Sequence, residues 1–184
     1  MTTATAQSSQ TLLNLQAAYE GESNATLKYT AFAIKAEVEG FFRVASLFRA
    51  AARAEQVHAA HHARIITKMG ATPQAAIHTI EVRSTRENLE AAKAGEEYER
   101  DVMYPNFIRE AEGNKDALLT FSLAMKAETV HARLYGEALA KLEAQRVPTT
   151  FYVCLFCGEV TDNINETEHC PICNSPKEKF VAVR

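Results

Sequence analysis

The chain has 184 residues, with 20 basic against 23 acidic side chains and a formal net charge of −3. Its hydrophobic fraction of 47% supports a real core, while only 7 Gly and 5 Pro are too few for a turn-rich sandwich or barrel, so long helices are expected. There is no basic excess to displace counterions from nucleic acid and no apolar run of the ~20 residues that span a bilayer. Met1 to Gln10 lacks the basic and apolar stretches of a secretory leader, so a cytoplasmic protein that binds neither nucleic acid nor membrane is expected.

Residues 1–9 are mainly Thr, Ala, Ser and Gln and read as a flexible tail. From Gln10 to about Val38, Leu12, Leu13, Leu15, Tyr19, Leu27, Phe32 and Ile34 recur among strong helix formers, and Glu39-Gly40 is a natural stop. A second helix is expected from about Phe41 to Met69, ended by Gly70 with Pro73 shortly after. A third starts near Ser84, which has capping-box spacing to Glu87, and runs to Glu112-Gly113 with Pro105 inside it, where a kink or local break is expected. A fourth runs from about Lys115 to Gln145.

The joins set the wiring. The first-to-second and third-to-fourth connections are a few residues long, so those helices are antiparallel neighbours. The second-to-third connection, roughly residues 70–83, is long enough to travel back along the bundle. That is the ferritin-like arrangement of a four-helix bundle, expected here over residues 10–146. Val147-Pro148-Thr149-Thr150 reads as a linker opening a second, Cys-rich unit over residues 147–184.

Each expected helix carries a carboxylate near its middle: Glu22, then Glu55 with His58, then Glu96 with Glu99, then Glu128 with His131. Residues three apart share a helix face and sit roughly 4.5 Å apart along the axis, so each Glu-x-x-His can present two donors to one point. One such motif alone is common on solvated faces. Two of them, mid-helix on different helices and faced by acidic partners on the other two, point to a dinuclear site, because five carboxylates in an apolar interior need neutralising. Two divalent iron or manganese ions would supply that charge, and a Glu from each of two helices with a Glu-x-x-His from each of the others is the known di-iron bundle pattern. Glu99 is surplus to this set. His61 and His62 read as surface or bundle-edge imidazoles, and Glu20, Glu37, Glu39 and Glu97 as solvated. Tyr29, seven residues after Glu22, and Tyr104 are either core residues or hydrogen-bond donors to a ligand carboxylate.

All four Cys lie in the tail, as Cys154-x-x-Cys157 and Cys170-x-x-Cys173 with 12 residues between the pairs. Gly158 and Asn174 follow the two pairs, and both residue types tolerate the positive φ that a metal knuckle needs. Four thiolates suit iron or zinc, and His169 is read as exposed.

The chain resembles rubrerythrin from about Gln10 to Arg184. The matching segments are Gly21-Glu22-Ser23 with Lys28-Tyr29, Glu55-Gln56-Val57-His58, Gly95-Glu96 with Glu99, Met103-Tyr104-Pro105-Asn106-Phe107 and Ala127-Glu128 with His131. The tail, with Tyr152 before Cys154 and Cys170-Pro171-Ile172-Cys173 before Pro176-Lys177, resembles a rubredoxin module. The resemblance implies a non-haem di-iron peroxidase that reduces hydrogen peroxide to water in oxidative-stress defence. Its cofactors would be a di-iron centre, oxo-bridged when oxidised, and one iron on Cys154, Cys157, Cys170 and Cys173.

By the same resemblance Glu55 and Glu128 bridge the irons, Glu22 binds one, and Glu96 with His131 the other. Glu99 and His58 become alternative ligands for the oxidised and reduced states, and Tyr29 and Tyr104 orient ligands. Electrons would come from an external donor, rubredoxin or an NAD(P)H-dependent reductase. The protein would be a homodimer or higher homo-oligomer in which one subunit's rubredoxin centre approaches another's di-iron site. Two departures are the short gap between the Cys pairs and Asn174 in place of the usual Gly. The alternative function is a ferritin-like ferroxidase or iron-handling protein.

Overall fold

The computed structural model describes residues 2–111, 113–166 and 168–184, with side chains described from Gln10 onwards. The expected tail over residues 1–9 falls on Met1 and on residues whose side chains lie outside that description. Four rods make the bundle: α1 (Thr2–Val38), α2 (Phe42–Lys68), a broken third rod of α3 (Thr85–Tyr98) and α4 (Tyr104–Glu110), and α5 (Lys115–Ala140). At the α1–α2 join Gly40 takes φ +79°, which lets the Phe41 N–H turn back onto the Ala36 carbonyl at 2.8 Å. The antiparallel hairpin follows from that turn, and α1 packs chiefly on α2 and α3 on α5. Among the described residues no helix is long and apolar enough to cross a membrane.

The long crossover is an extended strap laid along α1. Gln16 bonds Thr72 O and Gln74 N, Glu20 bonds Ala76 N, and Asn24 bonds Ala76 O and His78 N, at 2.8 to 3.2 Å. The spacing explains the fit: four helical residues rise ~6 Å and two extended residues ~6.6 Å, so side chains at i, i+4 and i+8 meet every second residue of the strap. Glu20, expected to be solvated, is one of these rungs. Glu39 corrects the same expectation, for its carboxylate accepts the Thr85 N–H at 2.8 Å and the Thr85 hydroxyl at 2.6 Å. Those bonds, the hydroxyl's foremost, hold its pKa down at about 2. The Ser84/Glu87 capping box is formed, so the start of α3 is tied from two directions.

The break at Pro105 takes a specific form. Proline has no N–H for the carbonyl one turn back, so the ladder slips: residues Glu99–Met103 widen into a π-helical turn and the Tyr104 N–H bonds Glu99 O. The slip lies one turn before the proline and has Glu99 at its start.

Two apolar clusters fill the bundle. One gathers Tyr29, Phe32, Phe48, Leu89 and Tyr135, with ring centroids 5.4 to 6.3 Å apart. The other gathers Leu15, Ile65, Ile66, Tyr104 and Phe121. On α1, α2 and α5 the residues between the two clusters are the mid-helix Glu and His positions. A three-stranded antiparallel sheet of β1 (Phe151–Cys154), β2 (Val160–Thr161) and β3 (Phe180–Val183), in the order β2-β1-β3, closes the chain. Phe151, Val153 and Val160 pack into the first cluster, and Arg43 on α2 bonds Thr149 at 2.8 Å and Asp162 at 2.5 Å. The Cys-rich unit is thereby docked on the bundle of its own chain.

Candidate metal centres

Between the two clusters the bundle brings together Glu22 from α1, Glu55 and His58 from α2, Glu96 from α3, and Glu128 and His131 from α5. None is more than 3% exposed. They form two groups whose donor atoms lie within 4.8 Å of one another: Glu22, Glu55, His58 and Glu128, and Glu55, Glu96, Glu128 and His131. Glu55 and Glu128 belong to both groups, the arrangement of two adjacent ions sharing two carboxylates. Glu99 lies outside both groups.

The donor set fits a pair of cations. Glu22 Oε2, Glu55 Oε1, Glu96 Oε2, both Glu128 oxygens and His131 Nδ1 are buried without a well-directed hydrogen bond, although the Glu128 oxygens lie 2.7 and 3.0 Å from the Nδ1 atoms of His131 and His58. Unpaired buried carboxylate oxygens cost several kcal/mol apiece in an apolar interior, so this cluster demands positive charge. Protons and imidazolium ions are the only substitutes the chain itself offers. Burial, reinforced by neighbouring carboxylates, pushes Glu22 well up and Glu96 to about 8. Burial acts against His58 and His131 as cations, but the surrounding carboxylates, Glu128 foremost, together outweigh it and raise both. The same pairing works in reverse on Glu128, where the two imidazoles overcome burial and hold the carboxyl low.

Hydrogen bonds orient the donors from behind. Tyr29 donates to Glu96 Oε1 at 2.6 Å, and Tyr104 donates to Glu22 Oε1. His58 and His131 turn Nδ1 to the carboxylates, 2.9 Å from Glu55 and 2.7 Å from Glu128 respectively. Their opposite nitrogens reach the Cys-rich unit: His58 Nε2 lies 3.0 Å from Cys157 O, and His131 Nε2 lies 3.0 Å from Gly158 O. Metal-binding imidazoles commonly donate their second N–H to such a carbonyl, which fixes the tautomer.

Glu99 sits at the π turn, half-buried at the wall of a cavity of about 500 Å³ between α1, the strap and α3. Burial pushes its carboxyl up, with Glu96 adding to the effect and Lys28 opposing it.

Two residues correct the sequence reading or extend it. His62, expected at the surface, is wholly buried and bonded to Tyr104, because the 3.6-residue period turns position 62 inward one turn after His58. Glu159, which follows Gly158, is buried with one oxygen unpartnered, and burial raises its carboxyl to about 7. Nothing in the spacing of the tail marks it. His61 is half-exposed with its ring 5.7 Å from Phe156, and His169 is exposed. Glu37 and Glu97 are at the surface, paired with Arg49 and Lys93.

The four cysteine sulfurs form a third group within 4.8 Å, with Cys157 to Cys170 at 3.4 Å and Cys154 to Cys173 at 3.7 Å. These separations are far beyond a disulfide and close to the ~3.8 Å edge of a tetrahedron with metal–sulfur bonds of ~2.3 Å. Gly158 (φ +78°) and Asn174 (φ +59°) close the two knuckles by bonding Cys154 O and Cys170 O. Gly158 meets a second demand that spacing does not reveal. A Cβ there would overlap the His58 imidazole, within 3.0 Å of Cδ2 and Cε1 and nearer still to Nε2.

The sequence profile of the rubrerythrin family matches residues 14–139. Among curated proteins, nigerythrin of Nitratidesulfovibrio vulgaris is 39% identical over 94% of this chain and 86% of its own length. Rubrerythrin-2 of Clostridium acetobutylicum is 34% identical over 91% of this chain and 94% of its own. Among solved structures, nigerythrin in its fully reduced, all-ferrous state superposes with a TM-score of 0.86 over 94% of this chain and 86% of that one. A bacterioferritin of Desulfovibrio desulfuricans superposes with a TM-score of 0.70 over 76% of this chain and 84% of that one, at 16% identity, which speaks for the ferritin-like fold alone.

Proposed function

The chain belongs to the rubrerythrin family, and on that premise we propose that it reduces hydrogen peroxide to water with electrons delivered through its own four-cysteine site. The observation that carries this reading is the pair of hydrogen bonds from His58 and His131 to the carbonyls of Cys157 and Gly158, which join the two centres within one chain. When bound, the two bundle irons supply the electron pair that splits the O–O bond, and the four-cysteine iron replenishes it. A storage or ferroxidase site has no need of such a joint.

The side chains have separable tasks. Glu55 and Glu128, common to both groups, hold the two ions at one spacing, while Glu22 with His58 and Glu96 with His131 complete them. Tyr29 and Tyr104 each take one oxygen of a carboxylate and leave the other for metal. The cavity that ends at Glu99 is a route for a small polar substrate. Turnover consumes two protons per peroxide, and the tyrosine hydroxyls are the proton-bearing groups hydrogen-bonded to the donor cluster. Glu99, outside the groups while His58 is inside, takes the role of the ligand that enters as His58 leaves. The family resemblance implies this exchange, and charge agrees with it, because a more oxidised ion would favour the anionic oxygen over neutral imidazole. The π turn supplies local slack for the movement.

The decisive test is stopped-flow re-oxidation of the anaerobically reduced, iron-loaded protein, mixed separately with equimolar hydrogen peroxide and with dioxygen. Fast re-oxidation by peroxide, seen in the visible band of the four-cysteine iron, is expected. Preference for dioxygen, or a silent band, would turn the assignment to a ferroxidase. Glu99→Ala is expected to keep both bundle ions by metal analysis and to slow peroxide turnover at least tenfold; unchanged turnover would remove the exchange.

A further inference from the structure

His62 belongs to neither group of donor atoms, yet it is among the most completely buried residues of the bundle and is engaged at both ring nitrogens. Nε2 lies 3.2 Å from the Tyr104 hydroxyl and Nδ1 lies 3.3 Å from the Thr120 hydroxyl. The ring packs between Phe121 and Tyr104, at 5.5 and 6.2 Å between centroids. Thr120 of α5, His62 of α2, Tyr104 of α4 and Glu22 of α1 thus form one hydrogen-bonded chain across all four rods, ending on a candidate metal ligand.

With Glu22 ionised, as a metal-ligating carboxylate is, that group can only accept, and the direction of every bond in this chain is then determined. Tyr104 has one hydroxyl hydrogen, and it points at Glu22 Oε1, so its oxygen can only accept from His62. Nε2 therefore bears a hydrogen. The ring is held neutral, for it is wholly buried against Phe121 and Tyr104 and its nearest carboxylate oxygen, at 3.9 Å, is beyond hydrogen-bond reach. A neutral imidazole holds one hydrogen, which leaves Nδ1 bare to accept from Thr120. Glu22 Oε1 is thereby committed to Tyr104, and Oε2, which has no partner, is the oxygen left for metal. In the other half of the site Tyr29 holds Glu96 and is backed by the rings of Phe48 and Tyr135.

We propose that His62 is a positioning residue which, braced by Thr120, locks the Tyr104 hydroxyl as a donor to Glu22 and so fixes which carboxylate oxygen faces the metal pair. This rests on the bundle site being a metal site but not on peroxide being its substrate, so both tests below omit peroxide. The first is long-range 1H–15N correlation on the full-length protein loaded with Zn(II), which reads the His62 tautomer directly. Hydrogen on Nε2 is expected. Hydrogen on Nδ1 would reverse every bond in the chain and overturn the proposal.

The second test uses Co(II) as a spectroscopic probe in His62→Leu and His62→Gln. Leucine fills the space without a donor, whereas glutamine places an N–H near the position of Nε2. His62→Leu is expected to change the absorption of one of the two bundle Co(II) ions and to weaken its binding about tenfold. His62→Gln should restore both. A His62→Leu spectrum identical to the parent, or equal disturbance by both variants, would leave His62 a space-filling residue and refute the role. If His62→Leu fails to fold, the tautomer measurement on the unaltered protein still decides.

Discussion

The bundle centre and the cysteine centre solve the same problem by opposite means. The cysteine site is local: 20 residues from Cys154 to Cys173 supply every sulfur, and two backbone turns at Gly158 and Asn174 shape it. The bundle site is assembled from residues more than 100 positions apart, and its geometry exists only when four rods pack. The cost is also distributed differently. The cysteine site draws its four sulfurs together by short backbone turns, whereas the bundle must bury carboxylate oxygens that make no well-directed hydrogen bond. A local site is secured by its turns; a dispersed one leans on its ions and on the apolar clusters above and below it.

The sharpest way to break this contrast is to remove a shared donor. Glu128→Ala should empty both positions of the bundle, dropping its metal content from two ions per chain to none and turnover to background, while Glu22→Ala should lose one ion. The four-cysteine iron should persist in both variants, as its visible spectrum would report. Loss of that iron along with the bundle ions would mean the two centres fold as one.

Metal removal gives the next effect, and its sign is set by the carboxyls held high. In the metal-free protein Glu22, Glu96 and Glu99 keep protons that the unfolded chain releases above pH ~4.5. Stability must therefore fall as pH climbs from ~4.5 towards 8, where Glu96 titrates. The raised His58 and His131 act in the same direction, adding stability below ~6.5 that is lost as pH rises through their folded values. Glu128, held low, opposes this only below ~4.5. His62 and Cys154, also held low, oppose it up to ~6.5 and ~9, but they are outnumbered by the raised Glu22, Glu96, Glu99 and Glu159. Thermal melts of the metal-free protein between pH 5 and 8 should show a falling Tm that metal loading flattens.

Gly158→Ala tests the joint between the regions. It strains a residue at φ +78° and drives a methyl into His58, so the knuckle should lift from the bundle. Electron transfer from the four-cysteine iron to the bundle should slow about tenfold or more, with both metal contents retained. Glu39→Gln probes a point far from either centre. It weakens the tie at the start of α3 and should cost about 1 kcal/mol at pH 7, as lost helix caps do. The difference from the parent should shrink as pH falls from ~4.5 through 2, because the parent's carboxylate is protonated there.

These contrasts also explain what the sequence discloses. Helix ends at Gly40, Gly70 and Ser84 and the two Cys pairs are written in adjacent residues and can be read directly. The bundle layer is legible at one remove, because period and helix length put Glu22, Glu55, Glu96 and Glu128 at one height. The side-chain bridges are not legible. Glu39 looks solvated because its partner is the N-terminus of a helix 46 residues away, and Glu20 because its partner is a strap with no pattern of its own. His62 looks peripheral because His58 satisfies the local motif, and only the placement of Tyr104 after the π turn gives its ring a partner. Which chain the knuckle docks on is likewise a matter of packing between Phe151, Val153, Val160 and the bundle, not of spacing.

The strap carries a consequence of its own. It is the single covalent tie between two helical hairpins, α1–α2 and α3–α5, and each hairpin holds one half-set of donors: Glu22, Glu55 and His58 on the first, Glu96, Glu128 and His131 on the second. Each half-set makes up three of the four donors of one group and borrows the fourth, Glu128 or Glu55, from the other hairpin. The design is that of two interchangeable halves clasping hands. A chain nicked in the strap would still contain every donor the clasp requires.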